Sequence, residues 1–295
     1  MSLRLRAMVL GLRWVIRPLL ARAINPAKAR RDFAMMSRLF RAPPFLLHQV
    51  DVGAPALHWV RAGPIHPRRI ILYLHGGGYI AGNPAGYRAM LGRLSRLTGL
   101  HVAAPAYRLA PEHPAPAAFE DAVLAHAALR AQGYAAGEIV LGGDSAGGGL
   151  ALALLAHLCA QDLHPAGLFA LSPWTDLSMT GASLRDNAAA DPVLPVALMP
   201  ALVAMVRGDL AVNDARISPL FAVFDAPPPV LLQVGSTEIL RDDTRRIADV
   251  LRSAGGRVEV SEWQDAPHVW HLGDGYVPEA RAALQQVAGF IAGLA

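Results

Sequence analysis

The chain has 295 residues, of which 53% are hydrophobic, and its mean hydropathy is +0.31. This length allows one large hydrophobic core or two small ones, and because no apolar run approaches 18 residues, no transmembrane helix is predicted. The formal net charge is +4, but residues 1–41 hold ten basic residues against Asp32 alone, whereas the rest of the chain holds 17 basic and 22 acidic residues.

The uneven charge invites a nucleic-acid partner, but no zinc finger, recognition helix or aromatic–basic motif accompanies the basic segment. We therefore predict no nucleic-acid binding. Cys159 is the only cysteine, which excludes an internal disulfide and is typical of a small buried hydrophobe in a reducing compartment. The early arginines and the lack of a clear cleavage site do not fit a secretory signal, so we expect a cytoplasmic location.

The first part of the chain is predicted to form two helices. Residues 3–16 have helical potential, and Pro18 limits or kinks this helix. Basic residues recur along it at spacings of seven and four, namely Arg6, Arg13 and Arg17. A second helix is predicted from about Pro26 to Phe40, before the boundary marked by Pro43 and Pro44.

Beyond this boundary, apolar runs alternate with helical stretches. The apolar runs cover residues 56–60, 70–74, 100–104, 139–141, 167–171, 230–234 and 258–260. The helical stretches cover residues 87–97, 117–130, 148–160, 242–253 and 278–291. This alternation predicts an α/β fold with a mostly parallel sheet covered on both faces. The strands before Ile70 are expected to pair as an antiparallel hairpin, and the alternation breaks between Ser178 and Ile217.

The run at residues 70–74 ends in His75-Gly76-Gly77-Gly78. Consecutive glycines leave backbone N–H groups unshielded, which is what an oxyanion needs, and each such donor lowers the barrier of acyl transfer by roughly 3 kcal/mol. A phosphate-binding loop is the alternative, but the glycine spacing does not match a dinucleotide-binding motif, and the only lysine of the chain is Lys28. The motif favours an oxyanion hole over a nucleotide site.

The run at residues 139–141 leads into Gly143-Asp144-Ser145-Ala146-Gly147 and then into a long helical stretch. A strand, one serine between glycines and a helix are the context of a nucleophile elbow. The turn is so tight that Ser145 must adopt a strained backbone conformation, and the flanking glycines avoid a collision of Cβ atoms. We predict that Ser145 is a nucleophile at the edge of the sheet.

Both motifs resemble those of the bacterial hormone-sensitive-lipase-like (family IV) carboxylesterases of the α/β-hydrolase fold. The resemblance runs from about residue 50 to the C-terminus and includes the stretch from Tyr107 to Pro114, Ser172-Pro173-Trp174 and Ser218-Pro219-Leu220. It implies a mostly parallel eight-stranded sheet with helices on both faces and a helical cap. Residues 1–48 would form the first part of the cap and residues 49–295 the catalytic domain, with a second cap segment inserted at about residues 180–216.

A serine hydroxyl needs a base, the base needs an orienting carboxylate, and in this fold they follow in the order serine, acid, histidine. This order leaves His268 and His271, and we predict His268 because it lies in a loop after the last strand. Three carboxylates follow the strand at residues 230–234, namely Glu238, Asp242 and Asp243. We predict Glu238, although the resembled family commonly has aspartate at this position, because the other two suit the first turn of a helix.

The amides of Gly77, Gly78 and Ala146 are predicted to form the oxyanion hole. Substrate contacts are predicted for five further residues, namely Tyr79, Leu109, Trp174, Met199 and Val269. No spacing of His, Cys or Asp suggests a metal site, and the resemblance implies no cofactor.

The leading hypothesis is an esterase of short- to medium-chain acyl esters that works through an acyl-enzyme. An amidase or deacetylase with the same triad, and a non-catalytic small-ligand receptor on the same fold, remain alternatives. We expect a small ester as partner and no stable membrane anchoring, although a basic amphipathic first helix could also lie on a membrane surface. A homodimer is compatible with the sequence.

Overall fold

The computed structural model describes residues 1–21, 25–66 and 69–294. Its strands are β1 Leu46–Asp51, β2 Leu57–Ala62, β3 Ile70–Leu74, β4 His101–Pro105, β5 Ile139–Asp144, β6 Gly167–Leu171, β7 Val230–Gly235 and β8 Val258–Trp263. Within this part of the chain they form one eight-stranded sheet in the order β1-β2-β4-β3-β5-β6-β7-β8. Only β2 runs antiparallel to its neighbours, so the hairpin predicted before Ile70 is present.

The sheet carries helices on both faces. The helices are α1 Leu3–Gly11, α2 Arg17–Ala21, α3 Pro26–Met36, α4 Pro84–Thr98, α5 Ala117–Ala131, α6 Ser145–Cys159, α7 Ser183–Asp186, α8 Met199–Val206, α9 Arg241–Ser253 and α10 Pro278–Ala292. Buried side chains of α4 and α10 pack with one face of the sheet, and those of α5, α6 and α9 pack with the other. Because both faces are covered, the central strands are buried along their whole length and mostly apolar, as in β3, where all five residues are buried. The predicted α/β-hydrolase architecture is confirmed.

The first helix is longer than predicted. After α1 the chain makes a π-helical turn over Leu12–Ile16 and continues as α2 to Ala21, so Pro18 does not end it. The ring of a proline crowds the carbonyl four residues earlier, here that of Trp14. The wider π turn lies at this carbonyl and makes room for the ring.

The excursion between β6 and β7 contains two short helices, α7 and α8. The sheet itself begins at Leu46, slightly before the predicted boundary between residues 48 and 49. Among the described residues, no helix has both the length and the apolar character needed to cross a membrane.

Candidate active site

The carboxyl ends of β3, β5, β6 and β7 meet at one edge of the sheet, and the loops that follow them converge there. Ser145 follows β5 directly and has φ +52°, the left-handed region that the elbow requires. A Cβ atom on Gly147 would lie 2.1 Å from the carbonyl oxygen of Leu74, so only glycine lets the start of α6 approach the end of β3. The sharp turn thus holds the Ser145 side chain at the edge of the sheet.

His268 lies next to Ser145. Its Nε2 is 2.9 Å from Ser145 Oγ, and its Nδ1 is 2.7 Å from Glu238 Oε2. Burial by itself disfavours the imidazolium, but the hydrogen bond and the charge of Glu238 outweigh burial, so the pKa of His268 is raised above its ordinary value of 6.5. The arrangement suits a base that accepts a proton from Ser145.

Glu238 is fully buried and its two oxygens have different partners. While Oε2 faces His268, Oε1 accepts hydrogen bonds from the Gly235 amide at 2.6 Å and from Ser172 Oγ at 2.7 Å. Ser172 also accepts a hydrogen bond from the amide of Val269 at 3.3 Å, next to His268. Ser172 therefore connects the acid with the histidine loop, a contact that the sequence did not predict.

The alternative acids and base lie elsewhere. His271 is buried against Gln233, and burial lowers its pKa to about 3. Asp242 accepts a hydrogen bond from the Ser183 amide, and Asp243 accepts hydrogen bonds from the amides of Thr175 and Asp176. Within the described residues, none of the three forms a hydrogen bond with Ser145 or His268.

The glycine loop after β3 lies opposite Ser145. Gly77 and Gly78 have φ +122° and +62°, and a Cβ atom on Gly77 would lie 2.2 Å from the carbonyl oxygen of Ala81. In the described part of the chain, neither of their N–H groups donates to another protein group. Ala146, at the start of α6, is fully buried behind the serine. Free amides of this kind are what an oxyanion requires.

Asp144 fixes the glycine loop against the elbow. Its Oδ1 accepts hydrogen bonds from the Gly76 amide at 2.9 Å and the Tyr73 hydroxyl at 2.8 Å, and its Oδ2 accepts one from the Tyr87 hydroxyl at 2.8 Å. Burial raises the pKa of Asp144 to about 6, against the opposing effect of these hydrogen bonds. One buried carboxylate thus connects the residue before the nucleophile with the oxyanion loop.

A cavity of about 950 Å³ extends from Ser145 and His268 to the N-terminal helices. Of the five residues predicted to contact substrate, Trp174, Met199 and Val269 line this cavity. Tyr79 and Leu109 do not line it: Tyr79 is buried beneath the loop, where its hydroxyl has no hydrogen-bond partner among the described residues. Most of the remaining wall is apolar and comes from residues 8–40 and 193–202, including Met8, Leu12, Ile16, Phe33, Met36 and Leu202.

Hydrogen bonds to main-chain carbonyls hold the first helix in place. Arg13 donates to the carbonyls of Ala189 and Ala190 at 3.0 and 2.6 Å, and Arg17 donates to that of Ala188 at 2.6 Å. Of the three residues of the predicted basic stripe, two therefore face the protein, while Arg6 is exposed.

Residues 187 and 191, on either side of the carbonyls that bind the arginines, contact the loop that carries Glu238. Asn187 donates from Nδ2 to the carbonyls of Ser236 and Glu238, and Asp191 accepts a hydrogen bond from the amide of Ile239 at 2.9 Å. Residues 187–191 therefore lie between the N-terminal helix and the acid.

Within the described residues, no group of three His, Cys, Asp or Glu side chains is arranged to hold a metal ion.

The chain is similar to known proteins in both sequence and fold. The profile of the family described as alpha/beta hydrolase fold matches residues 71–272. An acetyl-hydrolase of Streptomyces hygroscopicus is 40% identical over 246 residues, covering 82% of this chain and 81% of the relative. An esterase of Acinetobacter venetianus is 36% identical over 277 residues, covering 92% and 90%. The crystal structure of an esterase from the bacterial hormone-sensitive lipase family superimposes with a TM-score of 0.92 at 33% identity, covering 99% and 98%.

The chain belongs to the α/β-hydrolase family. Within that family it is a member of the bacterial hormone-sensitive-lipase-like group of carboxylic ester hydrolases, as the resemblance of its two glycine motifs predicted.

Proposed function

We propose that the protein is a serine carboxylesterase that hydrolyses short- to medium-chain acyl esters through an acyl-enzyme. The observation that carries the proposal is the continuous chain of contacts from Ser145 Oγ to His268 Nε2 at 2.9 Å and from His268 Nδ1 to Glu238 Oε2 at 2.7 Å. Nucleophile, base and orienting carboxylate at such distances define an acyl-transfer site.

Each step of the proposed reaction uses one of these groups. Ser145 Oγ attacks the ester carbonyl while His268 Nε2 accepts its proton, and the amides of Gly77, Gly78 and Ala146 stabilise the oxyanion. His268 then returns the proton to the departing alcohol, which leaves Ser145 acylated. Water attacks the acyl-enzyme by the same route, and the carboxylic acid is released with Ser145 restored. Glu238 holds the tautomer of His268 throughout.

We further propose that residues 1–48 and the segment at about 180–216 form a cap over the acyl pocket. Apolar side chains from both, such as Ile16, Met36 and Leu202, line the cavity above Ser145. A closed cover limits chain length, so we expect the best rates with C4–C8 acyl groups. Deleting residues 1–41 should raise KM, loosen this chain-length preference and lower the melting temperature. Unchanged kinetics on soluble esters would contradict the cap.

The decisive experiment is Ser145→Ala. Because nucleophile and base act as a unit, the substitution should lower kcat by about 10⁵–10⁶-fold while circular dichroism shows an intact fold. A sulfonyl fluoride should add to one residue of the native chain and to none of the variant. Peptide mass spectrometry that finds the adduct at another residue would refute the proposed nucleophile.

A profile across p-nitrophenyl esters from C2 to C16, beside a matching anilide, separates the remaining alternatives. Turnover of the anilide above that of the esters would favour an amidase. Binding of esters without any turnover would favour a receptor, although a receptor has no need for the close contact between His268 and Ser145.

A further inference from the structure

The N-terminal helix presents large apolar side chains to solvent. Leu3 is 81% exposed and Trp14 is 73% exposed, and Leu10 and Val15 are each 56% exposed. Leu3 and Leu10 lie seven residues apart on one face of α1, and Trp14 and Val15 continue this face into the π turn. An exposed group of this kind marks an interaction surface rather than ordinary surface variation. We call these four residues the apolar face.

The segment that carries the apolar face is also strongly basic. Residues 1–41 have a net charge of +9, whereas the remainder of the chain has −5. Arg6 on α1 is exposed, as are Arg31 on α3 and Arg38 in the turn after it. Since the arginines and the apolar side chains lie in the same segment, its partner must accept both at once.

Part of the rim of the cavity lies on α2, which continues the helix that carries the apolar face. Leu19, Leu20, Leu39 and Tyr276 line the cavity and are all exposed, so they form its rim. A second copy of the chain seated on the apolar face would cover this rim and obstruct the route to Ser145. A lipid surface would instead place the mouth against a source of acyl esters.

We propose that the apolar face, with the arginines of the same segment, docks on an anionic lipid surface. The helix lies along the surface, Trp14 and its apolar neighbours enter the boundary between headgroups and acyl chains, and arginines such as Arg6 contact lipid phosphates. The attachment is reversible adsorption and involves no spanning helix, which agrees with the short apolar helices of the described chain.

Binding is measured with the full chain carrying Ser145→Ala, so that turnover cannot alter the lipid. Cosedimentation with vesicles of phosphatidylcholine and 30% phosphatidylglycerol should retain the protein, pure phosphatidylcholine should retain much less, and salt should weaken the binding. Tryptophan fluorescence should shift to shorter wavelength on binding, since Trp14 is largely exposed, whereas Trp59 and Trp263 are partly buried and Trp174 and Trp270 are buried. Trp14→Phe should bind but lose the shift.

Two variants separate the apolar and the charged contributions. Leu10→Ser with Trp14→Ser should weaken vesicle binding by at least tenfold, because both side chains lose their apolar contact with lipid. Arg6→Glu should weaken binding about tenfold on the anionic vesicles alone. Val223→Ser is the matched control, since Val223 is 86% exposed but lies outside residues 1–41, and it should bind as the parent does.

Failure of the parent to bind anionic vesicles, or equal binding by the Leu10→Ser, Trp14→Ser variant, would overturn the proposal. A dimer in sedimentation that this variant converts to monomer, without vesicle binding, would assign the face to a contact between copies instead. The same substitutions in a chain that retains Ser145 should hydrolyse p-nitrophenyl acetate within twofold of the native rate. Vesicle binding therefore tests the lipid contact independently of the proposed esterase activity. If the proposed activity were wrong, the chain that retains Ser145 would bind vesicles but would not hydrolyse the ester.

Discussion

The side chains at the carboxyl edge of the sheet are buried and closely packed, whereas those of the N-terminal helices are mostly exposed, although both regions line one cavity. Glu238 and Asp144 are at most 1% exposed, and Gly147 and Gly235 beside them leave no room for a Cβ atom. In the described residues 1–21 and 25–42, Leu5 alone is buried.

The two regions are also held by different forces. At the sheet edge, each reacting group is oriented by several buried hydrogen bonds, which fix it within the tolerance that catalysis needs. The N-terminal helices are held by the packing of Leu5 against the cluster around Trp270 and by hydrogen bonds from partly exposed arginines, which compete with water. We infer that substitutions at the edge change the rate of chemistry, and that substitutions in the helices change access to it.

Among the substitutions at the edge of the sheet considered below, Glu238→Gln should lower kcat the most. The amide cannot stabilise the imidazolium or the required tautomer of His268, so kcat should fall by about a thousandfold or more. Asp242→Asn is the matched control, because Asp242 contacts Ser183 rather than His268, and steady-state kinetics should show a loss below tenfold. A greater loss for Asp242→Asn would mean that the acid is misassigned.

Asp144→Asn should act through the glycine loop. The amide offers only one acceptor oxygen in place of two, so it cannot serve the Gly76 amide and both tyrosine hydroxyls. The displaced loop should lower kcat by about tenfold to a hundredfold with little change in KM. Tyr87→Phe removes one hydrogen bond and leaves the other two, so its loss should be smaller. An unchanged kcat for Asp144→Asn would show that the loop keeps its position without this contact.

Combined Arg13→Gln and Arg17→Gln should affect access. Without the hydrogen bonds to residues 188–190, the first helix should loosen, KM should rise about three- to tenfold, and the melting temperature should fall by several degrees. The rate constant kcat on p-nitrophenyl acetate should change less than twofold. Arg31→Gln, at an exposed arginine of α3, is the control and should leave KM unaltered. A large loss in kcat instead would mean that the helix also positions the acid.

The pH profile should show the smallest effect. His268 must be neutral to accept a proton from Ser145, and Glu238 favours its charged form, so kcat/KM should be lost as pH falls through a pKa above 6.5. The fall of kcat/KM at low pH should report the ionisation of the free enzyme. Its apparent pKa should therefore be the same for C2 and C6 esters. An apparent pKa below 6.5 would contradict the close contact between His268 and Glu238.

Most of the sheet and the candidate triad were predictable from local patterns. Strands buried on both faces must be apolar at each position, so β3 and β6 were predicted at the same bounds that the structure has. The glycines around Ser145 are imposed by a tight turn, which leaves a readable motif. By contrast, β1 at the edge is mostly exposed and has no apolar run to reveal it.

Contacts between distant loops were not predictable. Ser172 reaches Glu238 across 66 positions, and Asp191 reaches Ile239 across 48. Neither pairing has a spacing that periodicity could reveal. The residues that line the cavity were equally hard to predict. Tyr79 lies next to the oxyanion glycines in sequence, but its backbone turns beneath them at φ +60°. Direction of a side chain in a loop depends on backbone angles that composition does not encode.

The contacts of Arg13 and Arg17 end on main-chain carbonyls, and a carbonyl is the same whichever side chain its residue bears. The attachment therefore depends on the side chains of the two arginines and not on those of residues 188–190. We therefore expect the side chains of residues 188–190 to be replaceable without loss of the hydrogen bonds that hold the first helix. A library of substitutions at these three positions should keep both the fold and the attachment of the first helix.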